Sequence, residues 1–107
     1  MNARIILTTC PDQTTAKSLA RVLVENRLAA CVNIAPGITS VYRWKGEIET
    51  GKEFLLVIKT TDKMLSKLES TLYAHHPYET PEFVVVTPEG VGQKYLGWIE
   101  ESVGDKS

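Results

Sequence analysis

The chain has 107 residues, of which 43% are apolar and 23% are charged, and its formal net charge is −1. A chain of this length can bury a core without disulfide bonds or a structural metal, so we expect residues 1–107 to form a single domain. The balanced charge shows no basic stripe, which argues against nucleic-acid binding. The apolar run of residues 54–58, which no other run exceeds in length, is far shorter than the roughly 20 residues of a membrane-spanning helix.

The two cysteines, Cys10 and Cys31, are too few to form a disulfide framework. The apolar stretch near the N-terminus is also too short for a secretory signal. These features predict a cytoplasmic protein with reduced thiols.

The first quarter of the chain predicts a strand followed by a helix. Residues 3–9 are rich in apolar and β-branched types, which is typical of a strand. Asp12 then stands where an N-cap is expected, because its carboxylate can accept from the free amides of a first helical turn. Apolar residues recur at helical spacing over residues 13–27, which predicts an amphipathic helix.

Two long extended runs follow, and they predict a β-hairpin. Residues 30–44 and 47–60 are joined by Lys45-Gly46, which is typical of a tight turn. Pro36-Gly37 interrupts the first run and predicts a bulge or bend, because proline cannot donate to a central ladder.

The last part of the chain predicts a helix, a strand and a closing helix. Asp62 is the expected cap of the second helix, which must end near His75 because Pro77 stops it. Residues 82–88 are expected to form a fourth strand and residues 93–102 a short helix. The order βαββαβ with a C-terminal helix predicts an α+β, ferredoxin-like split βαβ fold.

The predicted hairpin is too long for a small body. At about 3.4 Å per residue, each strand would run roughly 45–50 Å, whereas a domain of this size has a radius of gyration of about 13 Å. The hairpin must therefore bend at Pro36-Gly37 or project. The apolar residues expected to lack cover are Val41, Tyr42, Trp44, Phe54, Leu55 and Leu56. A symmetric oligomer in which hairpins pack across subunits would cover them.

The split βαβ topology places chemically versatile residues at one end of the sheet, where strand one and helix two both finish. These residues are Cys10, Asp12, His75, His76, Glu79 and Glu82. Cys31 starts the second strand and belongs at the opposite end. We therefore expect no Cys10–Cys31 disulfide, because Cα atoms more than about 7 Å apart cannot be bridged.

Imidazole, thiolate and carboxylate groups together can hold a divalent ion such as copper or zinc. The candidate metal ligands are His75, His76 and Cys10, although their spacing matches no standard zinc signature. An alternative is that both histidines bond the last helix carbonyls and complement the helix dipole.

Cys10 near a histidine also resembles a thiol nucleophile with its base. The chain has no nucleophile elbow and no recognisable oxyanion loop, so an unreactive thiol at a strand end is the favoured alternative. We therefore expect a protein that is not an enzyme.

Seven short motifs along the chain occur together in one known family. They are Thr9-Cys10-Pro11-Asp12 followed by Ala16, Leu28-Ala29-Ala30-Cys31-Val32-Asn33, Pro36-Gly37, Tyr42-Arg43-Trp44-Lys45-Gly46, Ile58-Lys59-Thr60, His76-Pro77-Tyr78-Glu79-Thr80-Pro81-Glu82, and Tyr95-Leu96 with Trp98. Through these motifs the chain resembles the CutA divalent-cation tolerance family over nearly its whole length.

This resemblance implies a ferredoxin-like subunit in a homotrimer whose long hairpins join the subunits, with no established enzymatic reaction. It also implies tolerance to divalent metals, copper especially, and copper binding by a cysteine–histidine group in some bacterial members. Their histidine pair matches His75 and His76. Their cysteine lies two residues before Cys10, where this chain has Thr8.

The fold and trimeric state of the family are also similar to those of PII-type signalling proteins. The resemblance therefore leaves an alternative function, a ligand-sensing module that binds a small molecule or protein partner in the cleft between subunits. Tyr78, Glu79 and Trp44 are the residues expected to line that cleft.

Overall fold

A computed structural model describes residues 2–105 as one four-stranded antiparallel sheet with three helices. The elements are β1 (Ala3–Cys10), α1 (Gln13–Glu25), β2 (Cys31–Trp44), β3 (Glu47–Thr61), α2 (Leu65–His75), β4 (Val84–Val86) and α3 (Gln93–Ser102). The strand order is β2-β3-β1-β4. The predicted α+β, ferredoxin-like arrangement is confirmed. No helix within residues 2–105 is both long and apolar enough to cross a membrane.

One face of the sheet packs against α1 and α2. Side chains alternate between the two faces of a strand, so Ile6 of β1 and its register partner Ile58 of β3 point to the same side. The core on that side consists of Ile6, Cys10, Ala16, Leu19, Leu23, Leu28, Ala29, Leu56, Ile58, Leu68 and Leu72. These side chains come from both helices and the central strands, so burying them holds the two layers together.

The other face of the sheet, which we call the open face, is only partly covered. It carries Ile5, Leu7 and Thr9 of β1, Cys31, Asn33 and Ala35 of β2, Leu55, Val57 and Lys59 of β3, and Val84 and Val86 of β4. The helix α3 covers one end of this side, where Ile99 and Val103 pack with Ala3 and Ala30. The eleven side chains of the open face are all half-buried or exposed.

The hairpin of β2 and β3 projects from the body as predicted. The register slips between Ala35 and Ile38, which confirms the bulge at Pro36-Gly37, and the turn at Lys45-Gly46 uses positive φ angles of 50° and 84°. We call residues 38–53, beyond the bulge, the arm. The molecule is accordingly elongated, with extents of 47 × 27 × 22 Å.

The apolar side chains of the arm are more exposed to solvent than those at its base. Val41 is 67% exposed and Trp44 is 40% exposed, as expected for residues that lack neighbours. Leu56 was wrongly expected to be uncovered, since it is fully buried in the core. Phe54 and Leu55 are half-buried. The bulge accounts for this difference in exposure, because the paired part of β2 and β3 that lies before it stays within the body, and only the arm projects.

Helix starts were predicted correctly at one position and wrongly at the other. Asp12 caps α1, and its Oδ1 accepts a 2.7 Å hydrogen bond from the Thr15 amide. Asp62 does not cap α2, whose N-cap residue is Met64. The Asp62 carboxylate instead accepts a 3.1 Å hydrogen bond from the Asn2 amide, and a short 3-10 turn intervenes before α2.

Two element ends also differ from the predicted ones. The helix α1 ends at Glu25 rather than at residue 27, because Arg27 has a positive φ of 58°, which leaves the helical region. The strand β4 spans only Val84–Val86 rather than residues 82–88. The prediction of α2 ending at His75 is confirmed.

Candidate functional site

The end of β1 and the residue after α2 meet at one end of the sheet, as the topology predicted. The Cys10 Sγ and the His76 Nε2 lie 3.9 Å apart and are both buried. Cys31 is the first residue of β2 and lies in one row with Lys59 and Ile5, away from the end of β1 that carries Cys10, and both cysteines are free thiols. The prediction that they form no disulfide is confirmed.

His76 uses both of its ring nitrogens within the fold. Its Nε2 lies 2.8 Å from the carbonyl oxygen of Thr9, which can only accept, so Nε2 carries the proton. Its Nδ1 accepts a 3.1 Å hydrogen bond from the amide of Tyr78. The imidazole is therefore a neutral Nε2–H tautomer that ties the loop after α2 to β1. This geometry leaves no lone pair of His76 free for a metal ion.

Cys10 lies in an environment that keeps its thiol protonated. The side chain is fully buried, and this burial, followed by the negative charges of Asp12 and Glu53, raises the pKa of Cys10 to about 11. Because the thiolate is the form that attacks electrophiles and binds metals, the thiol is poorly suited to either role.

His75 points away from this pair. Its side chain is exposed, and its Nδ1 donates a 2.9 Å hydrogen bond to the carbonyl of Thr71, one turn earlier in α2. This is the contact with a helix carbonyl that the sequence allows as an alternative for both histidines. It describes His75 but not His76, whose partner is in β1. The Nε2 of His75 keeps a lone pair that faces solvent.

The carboxylates expected at this end do not complete a metal site. Asp12 caps α1, and Glu79 and Glu82 are exposed on the loop that follows α2. Residues 2–105 contain no group of three or more His, Cys, Asp or Glu side chains arranged to hold a metal ion. Thr8, where the resemblance places the cysteine of the implied copper-binding group, is fully buried. The side chains in this geometry do not fit a resident metal ion.

One polar contact at this end was missed by the sequence analysis. The hydroxyl of Tyr78 donates a 2.7 Å hydrogen bond to Oε2 of Glu53, at the base of the arm. Burial, and then this bond to a carboxylate, raises the pKa of Tyr78 above its ordinary value. The two residues are 25 positions apart, so no local pattern signals the pairing. Only the register of Cys10 with Phe54 places Glu53 beside the loop.

Comparison with known proteins identifies the family. A family model described as CutA1 divalent ion tolerance protein matches residues 4–102. The chain belongs to the CutA1 divalent ion tolerance family. The "Divalent-cation tolerance protein CutA" of Thermus thermophilus is 45% identical over 100 residues, which are 94% of this chain and 97% of that protein. "Protein CutA" of Homo sapiens is 45% identical over 100 residues, which are 91% of this chain and 56% of that protein.

Solved structures of CutA1 proteins also match the fold. The divalent cation tolerance protein from Thermus thermophilus superposes with a TM-score of 0.93 and 44% identity, covering 95% of this chain and 99% of that chain. CutA from Xylella fastidiosa gives a TM-score of 0.94 and 41% identity, covering 97% and 100%. The CutA1 resemblance thus extends over the sheet, the helices and the arm.

Proposed function

We propose that this protein acts in divalent-cation tolerance as a homotrimer. The observation that carries the assembly is the open face, where Leu7, Val57 and Val84 form one row of apolar side chains across the sheet. Soluble monomers rarely leave contiguous apolar patches of this kind in water. A second copy that covers the open face would remove this patch from solvent, with the arm as a further contact surface.

The arm favours a closed ring over a two-fold dimer. Tyr42 and Trp44 share one of its faces with their register partners Glu49 and Glu47. The opposite face carries Val41, Arg43, Ile48, Thr50 and Lys52. One face is thus acidic and aromatic while the other is basic and aliphatic, so each is complementary to the other rather than to itself. Such heterologous contacts generate rings when the rotation closes.

Sedimentation equilibrium at micromolar concentration tests the assembly. We expect a single species with three times the mass of the chain, in which Trp44 fluorescence is shielded from an aqueous quencher. A monomer at these concentrations, with Trp44 fully accessible, would contradict the proposal.

We further propose that a divalent cation, copper or zinc, contacts the protein at the loop of His75 and His76. The available ligand is the Nε2 of His75, since the nitrogens of His76 are occupied and the thiol of Cys10 is protonated. A single exposed imidazole supports weak and exchangeable binding rather than a resident ion.

A copper titration of five proteins, the wild type, three single variants and the variant that lacks both imidazoles, tests this site. We expect His75→Ala to weaken binding and Cys10→Ala to leave it unchanged, with His76→Ala acting only through loss of stability. Unchanged affinity in a variant lacking both imidazoles would exclude this loop as the metal site.

We also propose that the protein is not an enzyme and that it acts in the cytoplasm. The raised pKa of Cys10 supports the first statement, because a thiol that stays protonated near neutral pH is a poor nucleophile. The two free thiols support the second. A hydrolase activity that disappears in Cys10→Ala, or a location outside the cytoplasm on fractionation, would contradict them.

A second candidate function is a trimeric module that senses a small ligand or protein partner between subunits. The hydrogen bond from Tyr78 to Glu53 favours it, because it couples the loop after α2 to the arm. Trp44 and Glu79 are exposed and available to such a ligand. Thermal unfolding of the wild type against a panel of metabolites, repeated with Tyr78→Phe, would identify it.

A further inference from the structure

The open face carries one charged side chain among apolar and neutral polar ones. Lys59 of β3 lies in a row with Cys31 on one side and Ile5 and Val86 on the other. The next residue of β3 on the same face is Val57. Lys59 is half-buried already in the isolated chain, so its ammonium sits in a largely apolar surface.

The nearest partners of Lys59 carry no negative charge. Its Nζ donates a short hydrogen bond to Oδ1 of Asn33, and the Sγ of Cys31 lies 3.8 Å from the same oxygen. Among residues 2–105, the one ion pair within 4 Å joins Arg21 and Glu25. Lys59 therefore has a neutral hydrogen-bond acceptor in place of a counter-ion.

This arrangement becomes unfavourable when another copy covers the open face. Water that solvates the ammonium is then displaced, and a charge removed from water needs an opposite charge beside it. The eleven residues of the open face include no Asp or Glu, so an identical face cannot supply one. The acidic residues nearest to Lys59 along the chain have partners of their own: the Asp62 carboxylate accepts a hydrogen bond from the Asn2 amide, and the Glu53 carboxylate accepts one from the Tyr78 hydroxyl.

We propose that Lys59 and Asn33 form a binding site for a small organic anion, carried between subunits of the assembly. The Lys59 ammonium would pair with a carboxylate or phosphate group, and the Asn33 side-chain amide would add a neutral donor. Ile5 and Val57 flank the ammonium and suit an anion with a short apolar portion. This inference rests on the proposed assembly, because only a covered open face makes the counter-ion necessary.

Thermal unfolding with anions tests the site. The probes are citrate, inorganic phosphate and pyrophosphate, each compared with chloride at equal ionic strength. We expect at least one probe at millimolar concentration to raise Tm by about 4 °C or more beyond chloride. Lys59→Met should abolish this rise and Lys59→Arg should retain it. Lys17→Met, at an exposed lysine of α1, is the matched control and should respond like the wild type.

The outcomes separate this inference from the assembly on which it rests. A response equal to that of chloride, or one that persists in Lys59→Met, would overturn the anion site. A stable oligomer with no response to any probe would overturn the site alone, and a monomer by sedimentation would overturn both. If Lys59→Met fails to fold, Asn33→Ala takes its place, because Asn33 is exposed, and should reduce the affinity for the responding anion at least threefold.

Discussion

The hydroxyl of Tyr78 donates a 2.7 Å hydrogen bond to Oε2 of Glu53 and so ties the loop after α2 to the base of the arm. The same loop is held from below by His76, whose ring centroid lies 4.8 Å from that of Tyr78. The loop is thus fixed at two points, one in the body and one in the arm. A substitution that breaks the contact at either point is therefore expected to loosen the contact at the other.

Tyr78→Phe removes the outer attachment and keeps the ring. A hydrogen bond to a carboxylate contributes about 1.5–3 kcal/mol, and the partial exposure of both groups reduces this to about 1 kcal/mol. Urea unfolding of the variant should show that loss. Tyr95→Phe is the control, since Tyr95 is exposed and packs on Trp98 through its ring. Equal losses in the two variants would mean that the bond to Glu53 contributes nothing specific.

His76→Ala is expected to destabilise the protein far more than His75→Ala. The first change leaves the Thr9 carbonyl and the Tyr78 amide without their partner and opens a cavity, at a cost of about 2–4 kcal/mol. The second removes an exposed side chain and should change stability by about 0.5 kcal/mol or less. Urea midpoints at equal protein concentration measure both. Similar midpoints would show that the imidazole of His76 is not the tie between loop and strand.

The gathering of Cys10 and His76 could be predicted from the sequence because it depends only on topology. A split βαβ unit brings the end of its first strand to the end of its second helix, and Pro77 fixes where that helix stops. The tautomer of His76 could not be predicted, since it depends on the positions of two backbone groups. The sequence therefore located the residues correctly and left their availability as ligands undetermined.

The burial of Leu56 and the role of Asp62 show a second limit. Both predictions treated a local pattern as decisive, and in both a long-range contact overrides it. Leu56 is covered by helices far away in the chain, and Asp62 accepts from Asn2 across the paired strands rather than capping α2. The register of β1 with β3 determines both the burial of Leu56 and the partner of Asp62, and this register cannot be predicted from either segment alone.

The buried thiol of Cys10 predicts a loss of stability in alkali. Its pKa is raised to about 11 in the fold, whereas an unfolded thiol titrates near 9. The contribution of Cys10 is therefore fully present below pH 9 and is lost as the pH rises from 9 to 11, because the unfolded chain releases its proton first. Urea midpoints of the wild type should fall across this window, and those of Cys10→Ala should fall less.

Thiolate absorbance near 240 nm provides an independent measurement of the same group. Subtracting the spectrum of Cys10→Ala from that of the wild type removes the tyrosine signal, and the remaining transition should have its midpoint at about pH 11. A midpoint near pH 9 would show an ordinary solvated thiol, and it would again allow the nucleophile and metal-ligand roles.

The N-cap of α1 predicts a sensitivity to acid. The hydrogen bond from the Thr15 amide lowers the pKa of Asp12, so its stabilisation is present above the unfolded value of about 4 and is lost as the pH falls through the lower folded value. Asp12→Ala should lower Tm at pH 7. Asp12→Asn keeps an acceptor oxygen and should lower it less, with little acid dependence at this position. If the wild type and Asp12→Asn lose stability equally as the pH falls, the Asp12 cap is not the cause of the acid sensitivity.

The proposed assembly can be tested by placing one charge on the open face. Val84 is 47% exposed, lies on the edge strand β4 and pairs with Leu7 on that face. Val84→Lys should leave the isolated chain folded, because the side chain has room in solvent. It should weaken association at least a hundredfold, since the lysine would be buried without a partner. Sedimentation velocity over a dilution series measures the change.

Val24→Lys is the matched control for this experiment. Val24 is 40% exposed on α1, which packs against the other face of the sheet, so the same substitution adds the same charge elsewhere on the surface. Its association should equal that of the wild type. Circular dichroism of both variants separates dissociation from unfolding. If both variants weaken association equally, the added charge and not its position causes the weakening. The open face would then not be the interface.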